Sequence, residues 1–237
     1  MTFQKTALAL LSLASVASAS AVTFNGVKIV ERAWNDNPGS SLTTTNNYPS
    51  MIQFSESFST GTGWANQHRW LLSTDGGANA FGWVYGTPID ISMTIKLETN
   101  NAGLNSEAGF YADKYGDSKF FVRSDGYVGA FGGAFNNFSW GNVYTPGTEA
   151  VMRVIYNGTN EVELIFNGIS SGKMEPGYGE KYWLPGMVFG GYAQNRVGAG
   201  HTITTTFKNI NPVPEPMTVI GLGLGVASLL ARRKRKA

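Results

Sequence analysis

Nowhere between residues 22 and 212 do apolar residues recur at helical spacing for ten residues or more. Short runs rich in β-branched and aromatic residues recur instead, broken by Gly, Asn, Asp and Pro. They are Val22–Val30, Met51–Phe58, Arg69–Ser73, Ala80–Tyr85, Ile89–Glu98, Gly109–Ala112, Lys119–Ser124 and Tyr127–Phe131. Ala150–Tyr156, Glu161–Phe166, Met187–Ala193 and Thr202–Ile210 follow. Crossover helices have no room between such runs, so the strands must pair antiparallel. The clearest is Ile89–Glu98: Ile89, Ile91, Met93, Ile95 and Leu97 share one face and polar residues the other, a half-buried strand. Ala150–Tyr156 and Glu161–Phe166 flank Asn157-Gly158, which predicts a hairpin with positive φ at both turn residues. The Asn/Thr/Ser-rich stretch Asn35–Asn47 reads as one long surface loop. The expectation is one all-β domain over residues 22–212, an antiparallel jelly-roll β-sandwich.

Such a domain must hold together by its core alone. The chain has no cysteine, which excludes disulfides, thiol catalysis and cysteine metal sites. With 14 Phe, 10 Tyr and 6 Trp among 237 residues and only 14% charged residues, it is not a disordered chain. The net charge of +2 belongs to the ends. Six of the 18 basic residues are Lys5 and Arg232–Lys236, which leaves 12 in residues 20–212 against 15 of the 16 acidic ones, a net −3. A domain of that sign is not built for nucleic acid.

The ends read as addresses. Residues 1–21 have a positive Lys5, the apolar run Ala7–Val16 and Ala-x-Ala cleavage sites at Ala17-Ser18-Ala19 or Ala19-Ser20-Ala21, the pattern of a signal peptide. Residues 213–237 contain Val213-Pro214-Glu215-Pro216, an apolar run Met217–Ala231, and the basic cluster Arg232, Arg233, Lys234, Arg235 and Lys236. As a helix the run spans roughly 22 Å against a bilayer core of about 30 Å. It reads as a short transmembrane helix, below the usual span length, whose reach snorkelling arginines would extend and whose basic end would stay cytoplasmic; a plain C-terminal anchor that nothing cleaves is the competing reading. This tripartite tail resembles the PEP-CTERM sorting signal. The resemblance implies an exosortase as partner, a transient membrane anchor, processing near the motif, and an exported protein at the cell surface or in the extracellular matrix of an exopolysaccharide-making, biofilm-forming Gram-negative bacterium.

Val151–Gly158 and Val162–Gly168, followed by Met187–Tyr192 and Thr202–Ile210, carry a second likeness. This stretch resembles the concanavalin A-like lectin/glucanase superfamily, including its laminin-G-like members. The resemblance implies a jelly roll of two curved sheets that binds or cleaves carbohydrate on the concave face. The glucanases' Glu-x-Asp-x-Glu motif is absent. Glu161 and Glu163 share a strand face but read as solvent-facing hairpin residues. The histidines are His68 and His201, no Gly-x-Ser-x-Gly elbow accompanies them, and each reads as a packing residue. Asp113, Asp117 and Asp125 are candidate calcium ligands, although they read first as turn residues and no EF-hand spacing is present. Aromatic rings beside Gly and Asn suit sugar faces, with Trp64, Trp70, Tyr127 and Trp140 as candidate glycan contacts. The expectation is therefore a non-catalytic, lectin-like polysaccharide-binding domain. A structural matrix protein without specific ligand, or a polysaccharide hydrolase or lyase, is the alternative.

Overall fold

A computed structural model describes residues 22–84, 86–114, 117–176, 183 and 185–213. The segments read as signal peptide, sorting motif after Val213, and membrane anchor lie outside them. The described residues hold fourteen strands: β1 (Gly26–Asn35), β2 (Ser41–Asn47), β3 (Met51–Ser57), β4 (Ala65–Ser73), β5 (Ile89–Thr99), β6 (Glu107–Asp113), β7 (Asp117–Arg123), β8 (Tyr127–Phe131), β9 (Phe138–Asn142), β10 (Glu149–Tyr156), β11 (Val162–Phe166), β12 (Ile169–Met174), β13 (Val188–Arg196) and β14 (Thr202–Val213). They form two antiparallel seven-stranded sheets. The front sheet runs β1-β4-β13-β6-β7-β8-β9 and the back sheet β12-β11-β10-β5-β14-β3-β2. This is the expected jelly-roll sandwich.

The back sheet follows simple alternation. Ile89, Ile91, Met93, Ile95 and Leu97 of β5 enter the core, as do Met152, Val154 and Tyr156 of β10 and Val162, Leu164 and Phe166 of β11. Glu161 and Glu163 point outward, where they meet Lys173 and Ser170. The hairpin is as expected but its turn is not. At Asn157-Gly158 only the glycine has positive φ; the Asn157 side chain accepts the backbone N–H groups of Thr159, Asn160 and Glu161. The pair with positive φ at both residues is Asn167-Gly168, which opens a further strand, β12. Ser41–Asn47 is not loop but the edge strand β2, polar because an edge strand meets little core. Ala80–Val84 forms no strand, although Phe81 and Trp83 still pack on the core.

In the front sheet, alternation fails in the middle. β4 and β13 are buried along almost their whole length, on both faces. Trp70, Phe110, Phe120 and Phe189 face the core. Leu71, Tyr111, Phe121 and Tyr192 form a second cluster on the other side. Strands sit about 4.8 Å apart, so β1 and β7, four steps apart, would be about 19 Å apart in a flat sheet. Yet the Trp34 ring of β1 lies 5.3 Å from Lys119 Nζ of β7. The front sheet therefore curls around its outer face and makes it a cleft.

One carboxylate fastens this sheet to the other. Glu56 on β3 is fully buried between the sheets. Its Oε1 accepts hydrogen bonds from Ser40 Oγ (2.6 Å), Asn66 Nδ2 (2.7 Å) and Arg32 Nη1 (2.8 Å). Its Oε2 meets His68 Nε2 (2.8 Å) and Asn195 Nδ2 (2.9 Å). Burial alone would raise its pKa, but hydrogen bonding and charge from His68, with Asn66 and Ser40, hold it at about 2. Because the folded pKa lies below the ordinary 4.5, this stability is present above about 4.5 and is lost as pH falls toward about 2. Glu56→Ala should cost about 3–5 kcal/mol in urea unfolding, since it strips the partner from buried His68, Asn66 and Asn195 and from half-buried Arg32. Glu56→Gln should also flatten the fall of stability between pH 4.5 and 2; an unchanged acid limb would remove Glu56 from this role.

Candidate functional site

The cleft floor comes from side chains at alternate positions of adjacent strands. β4 supplies Gln67 and Arg69, β13 supplies Tyr192 and Gln194, β6 supplies Glu107 and Tyr111, and β7 supplies Asp117 and Lys119. Two glycines interrupt this array. A Cβ at Gly190 would lie 1.9 Å from the Trp70 carbonyl oxygen, and one at Gly109 1.9 Å from that of Phe120. Register places Gly190 between Leu71 and Tyr111, and Gly109 between Tyr192 and Phe121. Long cationic side chains cross these gaps. The Arg69 guanidinium lies 4.1 Å above the Tyr111 ring, and Lys119 Nζ lies 4.8 Å above the Tyr192 ring.

Each cation is held. Arg69 Nε donates to Gln67 Oε1 at 2.5 Å, with Asp113 and Asp117 at 3.7 and 3.6 Å. The Tyr111 hydroxyl lies 2.8 Å from both of those aspartates. Burial, reinforced by Asp117 and Asp113 and only partly opposed by Arg69, pushes the Tyr111 phenol far above its ordinary pKa. Lys119 Nζ donates to Gln194 Oε1 (2.8 Å) and Glu107 Oε1 (3.0 Å), and Gln67 Nε2 donates to the same Gln194 oxygen (3.1 Å). Tyr192 differs. Its hydroxyl is buried and makes no well-formed hydrogen bond, and the Glu107 carboxylate is the acceptor that faces it. Burial raises its pKa well above 10, and the nearby Glu107 carboxylate adds to the shift. Tyr192 thus keeps its proton at neutral pH. A buried hydroxyl facing a carboxylate is placed to pass a proton to or from it.

The cleft continues to either side. Toward β9, Tyr127, Phe121, Phe131 and Phe138 line an open hollow of about 410 Å³. Toward the start of β4 stand Trp34 and Trp64, 38% and 51% exposed. Trp34 and Phe131 both approach Lys119, at 5.3 and 5.8 Å, and cover it from opposite margins.

Of the four aromatics expected to meet a glycan, Trp64 and Tyr127 lie on this face. Trp70 does not: it is fully buried in the core against Phe207, because it follows Arg69 and strand alternation turns it inward. Trp140 is also misplaced. It is half-buried between the sheets, 5.2 Å from Phe120 and 6.4 Å from Phe166, and its indole N–H donates to the Ile169 carbonyl. The three aspartates do not converge as a calcium site would need. Asp113 and Asp117 hold Tyr111, whereas Asp125 pairs with Arg123 at 2.6 Å. Among the described residues no three acidic or histidine side chains cluster as metal ligands. Both histidines are interior. His68 faces Glu56 and the Glu31 carbonyl, and His201 bridges Thr99 and the Arg196 carbonyl. Neither reaches the cleft.

Sequence reasoning missed Arg69, Tyr111, Lys119, Tyr192 and Gln194. Their signal is a second alternation out of phase with the core residues of the same strands: Gln67/Arg69 beside Asn66/His68/Trp70, and Tyr192/Gln194 beside Ala193/Asn195.

No family model matches this chain, and no curated protein matches it. Solved structures do. An alginate lyase from a Corynebacterium species superposes with a TM-score of 0.53 at 12% identity, covering 80% of this chain and 94% of that one. An alginate lyase from Pseudomonas aeruginosa gives 0.52 at 14% identity, covering 73% and 86%. A family 7 alginate lyase in complex with substrate gives 0.50 at 11% identity, covering 72% and 80%. At such identities the likeness establishes the fold. It also overturns the expectation of a non-enzymatic domain, which rested on the lack of a recognisable catalytic motif: the three solved structures named above are those of alginate lyases.

The two tryptophans that sequence alone treats alike should now separate. Trp70→Ala should cost about 3–5 kcal/mol, as a large core truncation does. Trp64→Ala should cost about 1 kcal/mol or less, the scale of an exposed cation–π contact. Equal losses in chemical denaturation would contradict these placements.

Proposed function

We propose that the chain is a polysaccharide lyase acting on a uronate-containing chain bound across the front sheet. The observation that carries this reading is the buried Tyr192 phenol, which faces the Glu107 carboxylate and lies beneath Lys119, with Gln194 holding Lys119 in place. Eliminative cleavage beside a carboxylate needs three things: neutralisation of that carboxylate, an acceptor for the proton on the adjacent carbon, and a donor for the leaving glycosidic oxygen. Lys119 and Gln194 supply the first. Glu107 takes the proton, and the C–H electron pair forms the new C=C bond as the C–O bond breaks. Tyr192, protonated because of its burial, gives its proton to the departing oxygen. Glu107 then returns a proton to Tyr192, which restores the site. Substrate has to part Trp34 and Phe131 to reach this group, and sugar rings then stack in the aromatic hollow beyond.

The fold's likeness to proteins named alginate lyases supports acidic polysaccharide as substrate. The wild-type chain incubated with alginate should release unsaturated sugars, read by the ultraviolet absorbance of the conjugated double bond. Tyr192→Phe and Glu107→Gln should each lower kcat by about 10²–10⁴-fold without loss of folding, the scale of a proton-transfer group. Full activity in Tyr192→Phe would overturn this assignment.

Export and sorting belong to the same reading. Residues 1–21 direct secretion, and Val213-Pro214-Glu215-Pro216, the apolar run and the basic cluster of residues 213–237 direct exosortase processing. Mass spectrometry of the extracellular protein should find Arg232–Lys236 missing; an intact C-terminus on released protein would contradict it.

A further inference from the structure

Beyond the central groups, the cleft carries a built cationic–aromatic corner at the end of β4 and β13. Arg196 pairs in register with Ala65, and Val197 N donates to the Trp64 carbonyl at 3.1 Å. These strand bonds set the Arg196 guanidinium 3.7 Å above the Trp64 ring. Trp34 stands next to Trp64, with ring centroids 6.2 Å apart. Gly63 fixes the approach to Trp64: its φ is +110°, and a Cβ there would lie 2.7 Å from the Asp36 carbonyl oxygen. The corner is thus held by backbone, and Trp64 is its most exposed ring, at 51%.

Arg196 has an unusual standing here. Arg32, Arg69, Arg123 and Arg153 each lie within 4 Å of a carboxylate. No carboxylate of the described residues comes that near to Arg196, and its buried Nε finds no acceptor. Its burial lowers its pKa from the ordinary value, and Glu107 only partly restores it. A half-buried guanidinium with an open donor lies on an exposed indole, about 13 Å along β13 from Tyr192 at 3.3–3.4 Å per residue. An anionic ring fits that corner: the carboxylate takes the guanidinium, and the sugar's C–H face takes an indole.

We infer that Arg196, Trp64 and Trp34 form a second subsite that holds a uronate residue of the bound chain by its carboxylate, a few sugar rings from the site of cleavage. This inference rests on the lyase reading for its substrate class. The subsite sets how far the chain extends past the reacting bond and therefore the length of the products.

The test uses the full chain carrying Tyr192→Phe, so that oligouronates survive during calorimetry. Arg196→Gln, which keeps the length of the side chain over Trp64, should weaken binding of long oligouronates about tenfold or more, the scale of a lost charged hydrogen bond. It should leave short oligouronates within about twofold, and Trp64→Ala should follow the same pattern. With Tyr192 intact, Arg196→Gln should shift the product lengths. Equal affinity of parent and Arg196→Gln for long oligouronates, both folded by circular dichroism, would overturn the subsite. So would an equal loss on short and long ligands. If no unsaturated product forms yet Arg196→Gln still weakens long oligouronates, the lyase reading fails and the subsite stands.

Discussion

The fold depends on a carboxylate placed where an apolar side chain would be expected. Glu56 joins β3 of the back sheet to β4 and β13 of the front sheet through Asn66, His68 and Asn195. It also draws in Arg32, which lies on a bulge of β1 where register slips between Val30 and Trp34. That bulge brings Trp34 over the cleft. The same network that ties the sheets thus shapes the rim of the site. A buried ion with this many partners is costly to break, and it favours one packing of the two sheets over others.

Glycine does the complementary work on the outer face. Gly109 and Gly190 leave gaps that Lys119 and Arg69 cross to reach the rings of Tyr192 and Tyr111. Each phenol therefore lies beneath a cation that is itself held by amides and carboxylates. The charges on this face are close to balanced. An acidic ligand is thus not drawn in by a broad positive field, consistent with a domain that is net −3 over residues 20–212. Recognition rests on individual groups, and these can be tested one at a time.

Much of the fold was legible in the sequence because most strands are half-buried. Ile89–Glu98 alternates cleanly since one face meets the core and the other water. The exceptions have physical causes. Ser41–Asn47 reads as loop because an edge strand pairs through backbone and needs few apolar residues. The two-residue turn with positive φ falls at Asn167-Gly168, since Asn157 uses its side chain to cap its own loop. The cleft itself was hidden. β4 and β13 are buried on both faces, so Trp70 beside Arg69 gave no sign of which side formed the cleft. His68 reads as a packing residue and is one, bound to Glu56 in the interior, whereas Tyr192 carries no sequence signal that separates it from a core aromatic.

The most direct measurement of the central claim is an NMR titration of the amide-labelled Tyr192→Phe protein with an acidic oligosaccharide. Shifts confined to the front sheet, at Gln67–Arg69, Glu107–Tyr111, Lys119 and Gln194–Arg196, are the predicted result. Shifts concentrated on the back sheet, or none at concentrations where a neutral glucan oligomer binds, would contradict it.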